Sequence, residues 1–142
     1  MDIKVKLDKD AYMPEKAHRE DAGFDIRTPK DFYLYAFDEA VIDTGVHVAI
    51  PEGYVGMLKS KSGLNVRYGI TCEGVIDSGY TGSIVAKLYR RDERPGAAME
   101  GFEKGNKITQ LVILPIPDVD LVEVDCLDET ERGDGGFGST GK

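Results

Sequence analysis

Three stretches of the chain carry side chains that could do chemistry on an anionic ligand. The tail Arg132-Gly133-Asp134-Gly135-Gly136-Phe137-Gly138-Ser139-Thr140-Gly141-Lys142 combines five glycines with one arginine, two hydroxyls and one aromatic ring. Glycine lets backbone N–H groups approach a ligand closely, arginine offers a planar fork for phosphate oxygens, and a ring stacks on flat groups. Such a tail is either flexible chain or a ligand clamp. Lys59-Ser60-Lys61-Ser62-Gly63-Leu64 gathers two cations, two hydroxyls and a glycine, the means by which a loop meets phosphate with charge and short donors. In Gly74-Val75-Ile76-Asp77-Ser78-Gly79-Tyr80-Thr81-Gly82 an apolar strand runs into an acidic turn and leaves past a tyrosine. That reads as a β-hairpin with a carboxylate at its bend, suited either to general-base work or simply to bonding local amides.

The elements that must position these residues read as strands. Period-two alternation recurs at 3–7, 32–35, 46–50, 84–89 and 119–124, with turn residues between. No window keeps helical spacing over three turns, and one short helix is expected over 62–68, capped by Ser62 and ended by Gly69. Ala22–Arg27, Lys59–Leu64, Gly74–Gly82 and Gly105–Leu111 interrupt the strand patterning with small or polar residues. Arg90 to Gly96 is expected to be a solvated hairpin tip. The chain is therefore expected to be all-β: residues 1–129 as one domain, followed by a mobile arm over 130–142.

At 142 residues the chain fits one domain with a real core. A formal charge of -8 argues against binding polymeric nucleic acid, so any anionic ligand must meet a local cluster of cations. Cys72 and Cys126 lack metal-ligand spacing and read as reduced, partly buried thiols of a cytoplasmic protein. His47 alternates outward on a strand, and His18 forms no metal motif with it. Neither a secretory signal nor an apolar run long enough for a membrane is visible.

Taken in order, five segments resemble the motifs of the trimeric dUTPase family. They are Ala22-Gly23-Phe24-Asp25-Ile26-Arg27; Pro51 to Gly56 running into Lys61-Ser62-Gly63-Leu64; Gly74 to Gly82; Gly105-Asn106-Lys107-Ile108-Thr109-Gln110-Leu111; and Arg132 to Gly141. The resemblance implies a single jelly-roll-like (β-clip) domain, a homotrimer, and hydrolysis of dUTP to dUMP and pyrophosphate. By the same resemblance Asp77 would activate the water that attacks the α-phosphorus. Gly74, Val75 and Ile76 would read uracil with backbone groups, and Tyr80 would pack on the deoxyribose. Lys61, Ser62, Gly63 and Gln110 would contact the α and β phosphates, and Arg132 the γ-phosphate. Phe137 would stack on uracil while Gly138, Ser139 and Thr140 close over the phosphates. Mg2+ would be held mainly by triphosphate and water, with Asp25 supporting its water network.

The chain also departs from that pattern. Lys61 stands where arginine is usual, and Asn106-Lys107 replaces Asp-Arg, which alters a structural ion pair more than the chemistry. Gly79 replaces an acid and is expected to loosen the turn, and Asp134 adds negative charge to the arm, so a raised Michaelis constant is expected. Three other readings stay open, one of them a structural β-domain with a flexible tail. A dCTP deaminase of similar fold would need a buried glutamate, for which Glu73 is the nearest acid. A nucleotide-gated regulatory protein would use the charged segment from Arg90 to Gly101.

Overall fold

A computed structural model of the chain describes residues 1–91 and 100–141. In chain order the strands are β1 Val5–Leu7, β2 Gly23–Arg27, β3 Phe32–Leu34, β4 Glu39–Asp43, β5 Val46–Val48, β6 Tyr54–Lys59, β7 Ile70–Cys72, β8 Gly74–Ile76, β9 Val85–Arg90, β10 Glu100–Phe102 and β11 Lys107–Pro115. One helix, α1, spans Ser62–Tyr68. The fold is all-β with a single short helix, as the patterning requires.

All the pairings are antiparallel. A four-stranded sheet runs β2-β11-β6-β8 and a three-stranded sheet β4-β9-β7, with the two-stranded pairs β1-β5 and β10-β3 beside them. Side chains alternate into one core: Ala86, Leu88 and Arg90 point inward from β9, while Val85 and Tyr89 face out. Ile26, Leu58, Ile70, Ile84, Leu88 and Ile108 are among its fully buried members. Burying each such aliphatic side chain contributes about 1.5–3 kcal/mol before entropy is counted.

Several expectations are corrected. Residues 23–27, 74–76 and 107–111 do not break the sheet; they belong to β2, β8 and β11, three of its four strands. Ile26, Ile108 and Leu111 are buried but so are the polar Asp25 and Thr109, which blurs the hydrophobic alternation. Gly74 to Gly82 is not a hairpin, because β8 pairs with β6 while the returning limb leads into β9 of the other sheet. Residues 119–124 form no strand, and Val119, Leu121, Val122 and Val124 lie exposed. Among the described residues that alternation has no partner strand. Arg90 is no loop residue: it ends β9, is buried, and its guanidinium donates to the Leu34 carbonyl at 2.9 Å. The rest of the expected charged tip, and most of the segment up to Gly101, lies outside the described residues.

The helix occupies the expected residues, but Ser62 does not cap it. Lys61 is the N-cap and no side chain caps the first turn; Ser62 is the first helical residue, one position too late to do so. Gly69 ends the helix in the left-handed region at φ 62°, its N–H reaching Asn65 O at 2.9 Å. A side chain there would collide with the Arg91 carbonyl, so glycine is required on two counts. Of the two thiols, both free, Cys72 is buried and Cys126 is exposed.

Candidate active site

The chemistry-bearing residues fall into three groups at separate places on the molecule. The first sits where β2, β11 and the end of β6 meet. Asp25 is buried on β2, directly opposite Gln110 in register, and Gln110 in turn pairs with Lys59. The Asp25 carboxylate holds Lys61 on one oxygen and Lys107 on the other, the latter at 2.6 Å. Burial alone would raise the Asp25 pKa, but the hydrogen bonds and charges of the two lysines outweigh it and hold the carboxyl below its ordinary value.

The loop carrying Lys61 is pinned by backbone-directed bonds. Gln110 Nε2 donates to the Ser60 carbonyl at 3.0 Å, and Thr109 Oγ1 donates to the Lys59 carbonyl at 2.9 Å. The Cys72 N–H donates to Ser60 Oγ at 3.0 Å. The Gln110 side chain lies where any side chain at position 23 would go, so Gly23 is a condition of this arrangement. Ser62 and Gly63 are exposed, and the space beside Gly63 is open. Their N–H groups precede the first helical bond, from Asn65 N–H to Lys61 O.

The second group lies on the turn after β8. This strand is an edge of its sheet, so one side of its backbone is unpaired in the sheet. Ile76 is buried and anchors it, while Val75 and Asp77 are exposed. Tyr80 N–H donates to the Asp77 carbonyl at 3.2 Å, with Gly79 between them at φ 85°. A turn with positive φ at its third position suits glycine, so Gly79 relieves this bend where it was expected to loosen it. The Tyr80 ring folds over Gly82, and its hydroxyl donates to the Ser83 carbonyl at 3.0 Å.

The third group is the arm. Phe137 is fully exposed, and among the described residues every hydrogen bond of the segment from 130 to 141 stays inside it. Arg132 Nε donates to the Gly135 carbonyl at 2.8 Å. Phe137 itself adopts φ 50°, and Gly133 and Gly138 have φ 53° and 89°.

The first two groups do not meet within one chain. Ile76 pairs with Gly56 and Gly74 with Leu58, so Asp77 leaves the pairing near the Tyr54 end of β6 while Lys61 lies beyond its Lys59 end. The length of that strand, on the order of 15 Å, separates them. Within one chain the Lys61 cluster and the Asp77 turn are thus held apart. The polar contacts that sequence inspection missed are Lys59 with Glu73 at 2.6 Å and the paired lysines on Asp25. Nothing in the linear spacing signals them, because register alone brings these residues together. Glu73 is exposed and neutralised by Lys59, so it is not the buried glutamate that a deaminase would need. Among the described residues no cluster of three metal-ligating side chains occurs. No helix among them is long and apolar enough to cross a membrane.

Comparison with known proteins identifies the family. The dUTPase family model matches residues 9–141. The deoxyuridine 5'-triphosphate nucleotidohydrolase of Cutibacterium acnes is 42% identical over 132 residues, covering 91% of this chain and 85% of its own. That of Clostridium tetani is 41% identical over 144 residues, covering 99% and 97%. Among solved structures, a Staphylococcus bacteriophage 80alpha dUTPase with dUpNHpp superposes with a TM-score of 0.86 at 34% identity, covering 99% of both chains. A dUTPase from phage phi11 of S. aureus, described with a coordinated structural Mg(II) ion, gives 0.81 at 30% identity over 91% of this chain and all of its own. With its fold, its motif order and nearly its whole length matched, the chain belongs to the dUTPase family.

Proposed function

We propose that the protein hydrolyses dUTP to dUMP and pyrophosphate, by attack of water on the α-phosphorus. The observation that carries this reading is the exposed Asp77 on a glycine-relieved turn, between an open strand edge and a tyrosine folded onto its own backbone. A general base must stand within hydrogen-bond reach of its water, and a short turn anchored by buried Ile76 holds a carboxylate still. Asp77 takes the proton from the attacking water, and the pyrophosphate leaves as the new P–O bond forms.

Specificity follows from the same turn. The unpaired backbone edge of Gly74, Val75 and Ile76 offers N–H and C=O groups to the uracil edge. The Tyr80 ring, resting on Gly82, presents a flat wall to the sugar, against which a ribose 2'-hydroxyl would clash. Lys61, Ser62, Gly63 and Gln110 bind the α and β phosphates. Lys61 must first exchange its Asp25 contact for phosphate oxygen, while Lys107 continues to neutralise that carboxylate. Arg132 binds the γ-phosphate, Phe137 stacks on uracil, and Gly138, Ser139 and Thr140 wrap the phosphates and exclude water.

The placement of Asp77 and Lys61 at opposite ends of β6 supports a site built from more than one chain. We propose a homotrimer whose sites take the phosphate cluster, the Asp77 turn and the arm from different subunits. The apolar segment from Val119 to Val124, exposed in the single chain, supports burial against a second copy. The donor set suits a Mg2+ ion carried in on the triphosphate, not one caged by the chain, because both oxygens of Asp25 already carry ammonium groups. When bound, the ion neutralises triphosphate charge. Asp25 can accept a hydrogen bond from a water of its shell once Lys61 has turned to phosphate. The unpaired thiols fit a reducing, cytoplasmic setting.

Steady-state pyrophosphate release measured with dUTP, UTP, dTTP and dCTP tests the reading. Turnover confined to dUTP is expected, and ammonia released from dCTP would overturn it.

A further inference from the structure

His47 lies outside the three groups, yet its ring is built into the back of the Asp77 turn. The ring is largely covered, with 18% of the side chain exposed. Its Nδ1 faces the Thr81 carbonyl at 2.8 Å and its Nε2 faces Asp8 Oδ2 at 3.0 Å. Both partners are pure acceptors, whereas a neutral imidazole carries only one N–H. Only the imidazolium satisfies both.

What the ring holds is the limb on which Tyr80 rests. Thr81 follows Tyr80 directly, Gly82 lies under its ring, and the Ser83 carbonyl accepts from its hydroxyl. Ser83 Oγ in turn donates to Asp43, which also accepts from Gly45 N–H at 3.1 Å. Two carboxylates therefore fasten the limb at its ends, Asp43 directly and Asp8 through His47.

We propose that His47 is a positioning residue: clamped between Asp8 and the Thr81 carbonyl, it fixes the Thr81–Ser83 limb under Tyr80 and so sets how sharply the site rejects a ribose 2'-hydroxyl. This rests on the dUTP-hydrolysing reading above. The charged groups around the ring are Asp8 on the turn after β1, Lys6 opposite it in register, Asp43 at the end of β4, and Lys4 lining the same groove. The hydrogen bonds to Asp8 and to Thr81 raise the His47 pKa above its ordinary value, against desolvation and the Lys6 charge. The clamp is therefore closed below the ordinary histidine range and opens as pH rises through the higher folded value.

The test compares kcat/KM for dUTP and for UTP across about pH 5.5 to 9, where histidine is the side chain that ordinarily titrates. Wild type, His47→Ala and Asp8→Asn are measured, and the two histidine resonances of the wild type are followed by proton NMR. In the wild type the dUTP preference falls about fivefold, the worth of one hydrogen bond, with a midpoint matching the His47 titration. In His47→Ala the preference is low and flat with pH, while kcat for dUTP changes little. In Asp8→Asn the midpoint moves to lower pH; this variant carries the test if His47→Ala does not fold. A wild-type preference that stays constant with pH, or an unchanged preference in His47→Ala, overturns the inference alone. Absence of dUTP turnover by the wild type overturns the functional reading and this inference with it.

Discussion

At the scale of single residues, two aspartates of the same type are given opposite work by their surroundings. Asp77 is exposed on a turn, whereas Asp25 is buried between two lysines. Asp77→Asn keeps size and shape but removes the base, so turnover should fall by about 10²–10⁴-fold while dUTP still binds. Pyrophosphate release and a binding titration with a non-hydrolysable analogue check this; undiminished turnover sinks the base assignment. Asp25→Asn strands two ammonium groups beside a neutral amide and should cost about 1–2 kcal/mol, moderated because the lysines are partly solvated. The sign with pH follows from its depressed pKa. The contribution is complete above the ordinary carboxylate value of 3.8 and is lost as pH falls through the lower folded value. Thermal melts of the two proteins should therefore converge in strong acid and separate at neutral pH.

At the scale of elements, the phosphate-type cluster depends on how α1 begins and ends. Its start leaves Ser62 and Gly63 exposed with N–H groups outside the helical ladder. Its end needs Gly69, whose φ of 62° and contact with the Arg91 carbonyl exclude a side chain. Gly69→Ala should destabilise by about 1–3 kcal/mol, since it meets both left-handed strain and backbone overlap. Differential scanning calorimetry measures it, and an unchanged melting temperature would contradict the cap. The helix was legible from Ser62 and Gly69, although Ser62 begins the helix and Lys61, not Ser62, is its N-cap. The strands β2 and β11 were not legible as strands, because burial of Asp25 and Thr109 among their apolar residues hides the alternation.

At the scale of the whole molecule, the separation of Asp77 from Lys61 along β6 is the observation behind the proposed shared site. Deleting residues 131–142 should leave the oligomer intact and nearly abolish turnover, because only the arm carries Arg132 and Phe137. Co-assembling that deletion with Asp77→Asn should restore about a quarter of wild-type activity at equal mixing, since one site in four then draws Asp77 from one variant and the arm from the other. Size-exclusion chromatography and steady-state rates of the refolded mixture check both. Activity no greater than that of either parent would show that the sites are not shared.

The order of the chemical residues along the chain was determined by sequence alone: the Lys61 loop, the Asp77 turn with Tyr80, Gln110, and the glycine-rich arm. The all-β class was legible too, because strands at 32–34 and 46–48 show their period in the residues themselves. Tertiary structure alone decided which of these groups meet. Register places Gln110 opposite Asp25, folding parks Lys61 and Lys107 on that carboxylate, and β6 holds the Asp77 turn away from both. It also set His47 against Asp8 and Thr81, residues far from it in sequence. Alternation reports which face of a strand is apolar, a local property. Partnership between strands depends on long-range pairing, and no spacing of residue types encodes that.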